Sequence, residues 1–193
     1  DNKIINNSNQ IKLSQNSELT LIEYNMSEKS KFFKNTFENI NIEQGSLLKS
    51  ITIQKNKSNG YFYKNISGIQ DYNSSYQSFI LSSGLKFNKI EINMNLEKEN
   101  STCYILSGLS LGKDEHQEIK TRINHLAPNC KSYQKIKNVL ENDSNGVYQG
   151  KIFVKDIAQK TDAYQLSKAL ILDDKAEFNA KPELEIYADD VKC

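Results

Sequence analysis

Arginine is nearly missing from this chain: Arg122 stands alone among 25 basic residues. Nucleic-acid readers and phosphate clamps favour arginine's planar fork, so its scarcity counts against both. A lysine-biased, asparagine-rich composition accounts for it equally well. The 25 Lys+Arg are balanced by 24 Asp+Glu, leaving no net field to draw the chain to nucleic acid or anionic lipid. Proline occurs twice, at Pro128 and Pro182, and no linker interrupts the pattern. One domain over residues 1–193 is therefore expected, long enough to bury a core. Cysteine occurs three times, at Cys103, Cys130 and Cys193, an odd and widely spaced set. That excludes a disulfide framework and fits a reducing compartment, the cytoplasm first and the plastid stroma second. No apolar run approaches bilayer length. The N-terminus lacks the basic-then-apolar order of a signal peptide. It also lacks an initiating Met, as expected of an excised or processed piece.

Catalytic loops are missing too. The chain contains no Gly-x-x-x-x-Gly-Lys, no Gly-x-Gly-x-x-Gly and no Gly-x-Ser-x-Gly. No enzyme is expected.

What remains is a repeat. Long 3.6-residue periodicity is scarce, and β-branched and aromatic residues arrive in short alternating runs between polar turns. Ser17, Ser46, Ser74 and Ser101 each mark such a turn, at intervals of 29, 28 and 27 positions. Apolar pairs follow the turns: Ile51 and Ile53, Phe79 and Leu81, and later Leu184 and Ile186. A period of this length made of strands indicates a β-solenoid or a propeller. A propeller would carry hairpin dipeptides about every ten residues, whereas only Asn59-Gly60 and Asn145-Gly146 occur. An all-β parallel β-helix is the better reading, pooling Leu, Ile, Phe and Tyr of successive coils into one continuous core. In Asp114–Leu140, the residues Tyr133, Ile136 and Leu140 fit a helix face and a strand equally.

Chemistry-bearing residues are few. His116, His125 and Cys130 lie within fifteen positions, with Asp114 and Glu115 beside them. They lack the close pairing of a metal site, so loop histidines and a core-filling Cys130 are expected. Cys103 reads as a packing residue. Asp189 and Asp190 read as turn residues, and Lys160-Thr161-Asp162 as a solenoid corner. Cys193 follows the acidic turn beside Lys192, whose charge favours thiolate if the two approach. It reads equally as an inconsequential terminal thiol.

Three segments carry a resemblance: Asn145-Gly146-Val147-Tyr148-Gln149-Gly150-Lys151-Ile152, Ala158-Gln159-Lys160-Thr161-Asp162-Ala163-Tyr164-Gln165 and Leu184-Glu185-Ile186-Tyr187-Ala188-Asp189-Asp190-Val191-Lys192-Cys193. Together they resemble the SufB/SufD family of iron–sulfur cluster assembly scaffolds, and its SufD branch more than its SufB branch. The likeness runs from about Leu19 to Cys193 and is densest after Asn100. It implies a right-handed parallel β-helix, and strand rather than helix in Asp114–Leu140. It implies pairing with SufB through the C-terminal part of that helix, and docking of the SufC ATPase by helices outside this sequence. It implies a transient Fe–S cluster in the full complex and no stably bound cofactor here. Cys193 would be an interface or cluster-proximal thiol. The family's Ser-His-Gly after that cysteine is not in this sequence. A SufB-like scaffold, a carbohydrate-active β-helix enzyme and a structural solenoid are the competing readings. The enzyme would need basic residues beside paired acids for uronate chemistry.

Overall fold

A computed structural model describes residues 3–28 and 31–192, and strands dominate it. In chain order they are β1 (Lys3–Leu13), β2 (Glu18–Glu28), β3 (Phe32–Ile42), β4 (Leu47–Gln70), β5 (Ser75–Leu96) and β6 (Thr102–Leu111). Then come β7 (His116–His125), β8 (Lys131–Leu140), β9 (Asn145–Val154), β10 (Thr161–Ile171), β11 (Glu177–Ile186) and β12 (Val191–Lys192). No helix occurs among the described residues, and Asp114–Leu140 forms β7 and β8.

All pairings are parallel, and the strands alternate between two ladders. The first ladder stacks β1, β3, the second halves of β4 and β5, β7, β9 and β11. The second stacks β2, the first halves of β4 and β5, β6, β8, β10 and β12. This is a β-helix.

The repeat seen in the sequence is the corner between the ladders. Asn16, Gly45, Asn73, Asn100, Asn129 and Lys160 all take positive φ there, between 53° and 68°. Glycine and asparagine tolerate that conformation best. Each donates its backbone N–H to the next coil, as Asn73 does to Glu99 and Asn129 to Gln159. The residue after it turns a small polar side chain inward. Ser74 and Ser101 hydroxyls close the turn on the carbonyls of Asp71 (2.7 Å) and Lys98 (2.9 Å). Lys160 is the misfit of the series. Lys160→Asn should relieve left-handed strain by about 0.5–1 kcal/mol. Thermal melts would then rise by a few degrees, and an unchanged midpoint would refute the corner argument.

The core departs from the expected pool of apolar residues. Ile42, Leu48, Ile66, Ile80, Ile92, Met94, Ile105, Ile119, Ile123 and Leu140 do point inward. Ile51, Ile53, Phe79 and Leu81, however, face outward, because Ser50, Thr52, Gln54, Ser78 and Ser82 hold the inward phase of the same strands. Alternation fixes which residues share a face but not which face is inside. Leu184 and Ile186 lie in register with buried Ile152 and Val154 and are exposed, with no strand stacked beyond β11 among the described residues.

Candidate functional site

Cys130 occupies the serine position of its corner. Its Sγ lies 3.2 Å from Ser101 Oγ and 3.3 Å from the Lys98 carbonyl. Burial pushes this thiol up, against the opposing hydrogen bond from Ser101. Cys103 sits fully inside the second ladder, and burial raises it strongly. Neither is an accessible thiolate at neutral pH.

The two histidines part company. His116 faces outward and stacks on Phe87, with centroids 5.2 Å apart and planes within 4°. His125 faces inward, fully buried, with Nε2 2.9 Å from Ser132 Oγ and Nδ1 unpartnered. Burial drives His125 down to about 4. A two-residue alternation gives opposite faces to residues nine apart only through an odd offset, which 116 and 125 have. Among the described residues, no three His, Cys, Asp or Glu side chains converge as a metal site.

Sequence reading missed the polar interior. Near the N-terminal coils, buried Lys64 places Nζ 2.7 Å from both Glu38 and Glu23. Lys34 reaches Glu23 at 3.3 Å and Asn25 at 2.6 Å. Burial works against the Glu23 carboxylate, but Lys64, Asn25 and Lys34 hold it down at about 2. Further along, Asn88 donates to Gln54 (2.9 Å), Ser82 (3.0 Å) and Gln117 (3.3 Å). Beyond that, Tyr148 Oη meets Gln134 at 3.4 Å and Gln165 at 3.2 Å. The signal was present in the sequence as polar residues sharing one parity, for example Ser50, Thr52 and Gln54 in β4.

The last described strands are β10, β11 and β12. Val191 and Lys192 begin a strand on Thr161 and Asp162 of β10. Lys160 donates its backbone N–H to the Asp190 carbonyl at 2.6 Å, and the Gln159 side chain accepts from the Asp190 N–H at 2.9 Å. Asp189 and Asp190 are thus part of the corner. Ala188 is buried with Ile152, Val154, Ala158 and Ala163 and anchors the segment. Beyond Asp162, β10 offers no described partner on that side, nor does the outer edge of β11. Leu170, Ile171, Leu172, Leu184 and Tyr187 are exposed there. Cys193 lies outside the described residues.

The family model for the SUF system FeS cluster assembly SufBD core domain matches residues 1–193. The chain belongs to the SufBD core family. Similar members include the iron–sulfur cluster assembly protein SufD of Escherichia coli, 29% identical over 184 residues. That alignment covers 94% of this chain and 43% of the relative. A SufBD family protein of Synechocystis is 28% identical over 171 residues, 86% of this chain and 37% of its own. Arabidopsis thaliana protein ABCI7, chloroplastic, is 25% identical over 167 residues, 86% of this chain and 35% of its own. The chain thus spans less than half the length of these SufBD relatives.

Proposed function

We propose that this chain is the β-helix core of a scaffold subunit in SUF iron–sulfur cluster assembly, without catalysis of its own. It pairs with a SufB-type chain through the C-terminal end of its ladders. The SufBD core match over residues 1–193 carries this reading. The likeness to the Escherichia coli iron–sulfur cluster assembly protein SufD over 94% of this chain supports it. The corner at Gln159, Lys160 and Asp190 lies in the C-terminal part of the stack. There Cys193 serves as an interface thiol, and the cluster is cargo shared with the partner. A stiff parallel stack suits this role. ATP-driven movement of a SufC-type ATPase elsewhere in the assembly can strain the interface without deforming the coils. A reducing setting, cytoplasm or plastid stroma, keeps buried Cys103 and Cys130 free.

Mixing the 193-residue chain with purified SufB should give one co-eluting species that Leu184→Lys disrupts. Separate elution at tens of micromolar would refute the pairing. The same chain should retain purified SufC poorly at micromolar concentration, because SufC is expected to dock on segments outside this sequence. Strong retention would overturn that assignment.

A further inference from the structure

The outer surface of the second ladder carries an apolar strip. Two neighbouring columns run along it. One reads Ile22, Ile51, Phe79, Leu106 in register, and the other Tyr24, Ile53, Leu81, Gly108. Ile22, Tyr24, Phe79, Leu81 and Leu106 are all exposed. On the first ladder, the columns Asn39, Ser67, Asn93, Arg122 and Asn41, Ile69, Asn95, Asn124 are mostly polar, while Phe33, Phe37 and Tyr61 are exposed in others. An apolar strip of this kind on one side of a solenoid marks a contact surface.

Geometry and charge define what fits it. Four rungs at about 4.8 Å span roughly 15 Å, which is about ten residues or three turns of α-helix. Helical pitch, about 5.4 Å, nearly matches the rung spacing, so one apolar side chain per turn meets each rung. Gly108 leaves a notch at the end of the strip. On the other side of the Leu106 column, Lys49, Ile51, Gln77, Phe79, Tyr104 and Leu106 line a groove of about 360 Å³ that would take one large side chain. Each column is then followed by lysine, and the first continues to Leu166. Leu106 is followed in register by Lys135, and Gly108 by Lys137 and Lys168. None of the ion pairs among the described residues engages these three lysines.

We propose that the Ile22–Leu106 and Tyr24–Gly108 columns are the docking surface for an amphipathic α-helix of a partner protein. The helix lies along the stack with three apolar turns on the strip and an acidic turn against Lys135, Lys137 and Lys168. Short charge pairs at the end of an apolar contact set orientation more than strength. The apolar columns lie on β2, β4, β5 and β6, and only Lys168 belongs to β10, so Phe79→Lys and Leu81→Lys test the strip without touching the strands assigned to the SufB pairing.

The probe is a fluorescein-labelled 18-residue peptide, with leucines at i, i+3, i+4, i+7 and i+11 and three glutamates in its last turn. Fluorescence anisotropy against the 193-residue chain should show saturable binding. Leu81→Lys and Phe79→Lys, both at exposed positions, should weaken it tenfold or more with an unchanged circular dichroism spectrum. Ile69→Lys on the first ladder should leave it unchanged. Lys135→Glu with Lys137→Glu should weaken the acidic peptide severalfold and favour one whose last turn is lysine. Equal binding by all variants would overturn the proposal. So would a Phe79→Lys-sensitive dimer of the chain itself. Sedimentation with phosphatidylserine vesicles without peptide binding would also overturn it, assigning the strip to a membrane surface.

Discussion

Lys64→Ile is expected to cost about 3–5 kcal/mol of unfolding free energy, the usual loss when one member of a buried ion pair is removed. For a chain of this size that lowers the thermal midpoint by roughly 10 °C. Lys64 and Glu38 are each 2% exposed and 2.7 Å apart, and Glu23, 25% exposed, lies 2.7 Å from the same ammonium. Without Lys64, Lys34 still reaches Glu23, but among the described residues no other ion pair serves Glu38. Glu38 would then be an uncompensated charge inside the coil. Both positions sit in isoleucine columns. Glu38 is in register with Ile66 and Ile92, and Lys64 with Ile90 and Ile119. The double substitution Glu38→Ile with Lys64→Ile continues those columns and should recover most of the loss. Urea unfolding of wild type, single and double variants decides the matter. A single-variant loss below about 1 kcal/mol, or a double no better than the single, would show that the pair is not dehydrated as the packing implies.

Much of the fold was legible because corners constrain residue type. Left-handed backbone at Asn16, Asn73 and Asn100, followed by an inward serine, leaves a signature that survives however the strands are filled. The spacing of those corners gave the coil length, and the lack of hairpin dipeptides gave parallel pairing. Cys130 was legible as a small core residue, though not as the serine substitute it is. The sidedness of the strands was not legible. Ile51, Ile53, Phe79 and Leu81 dominate their runs by hydrophobicity, yet Ser50, Thr52 and Ser78 lie inside. A narrow coil brings its two ladders close enough for small polar side chains to satisfy one another, so burial and hydrophobicity part company. The acid–base pairing of Lys64 with Glu23 and Glu38 spans 41 and 26 positions, and no local pattern encodes it. For Cys193 the sequence supplied a thiol beside an acidic turn, and the residue lies outside the described ones.

Stability should fall as pH drops from about 6.5 toward 4, and His125→Leu should remove that fall. His125 is fully buried, and burial sets its folded value at about 4 against an ordinary value near 6.5. Between those values the unfolded chain binds a proton that the folded chain refuses. The contribution is therefore whole above about pH 6.5 and declines as pH falls to the folded value. A difference of this size corresponds to roughly 3 kcal/mol across the window. Leucine suits the site, since His125 is in register with Leu96 and Val154, though the contact with Ser132 Oγ is given up. Glu23 acts in a lower window and by the opposite ionic form. Its carboxylate is held at about 2, so its contribution is present above its ordinary value near 4.5 and is lost as pH falls toward 2. The two windows separate the groups experimentally. Urea midpoints measured from pH 7 to pH 3 should drop in wild type and in Glu23→Gln between pH 6.5 and 5, and stay level over that range in His125→Leu. A His125→Leu protein that loses stability over that range as steeply as wild type would place the titrating group elsewhere. It would also mean that the imidazole meets water inside the coil.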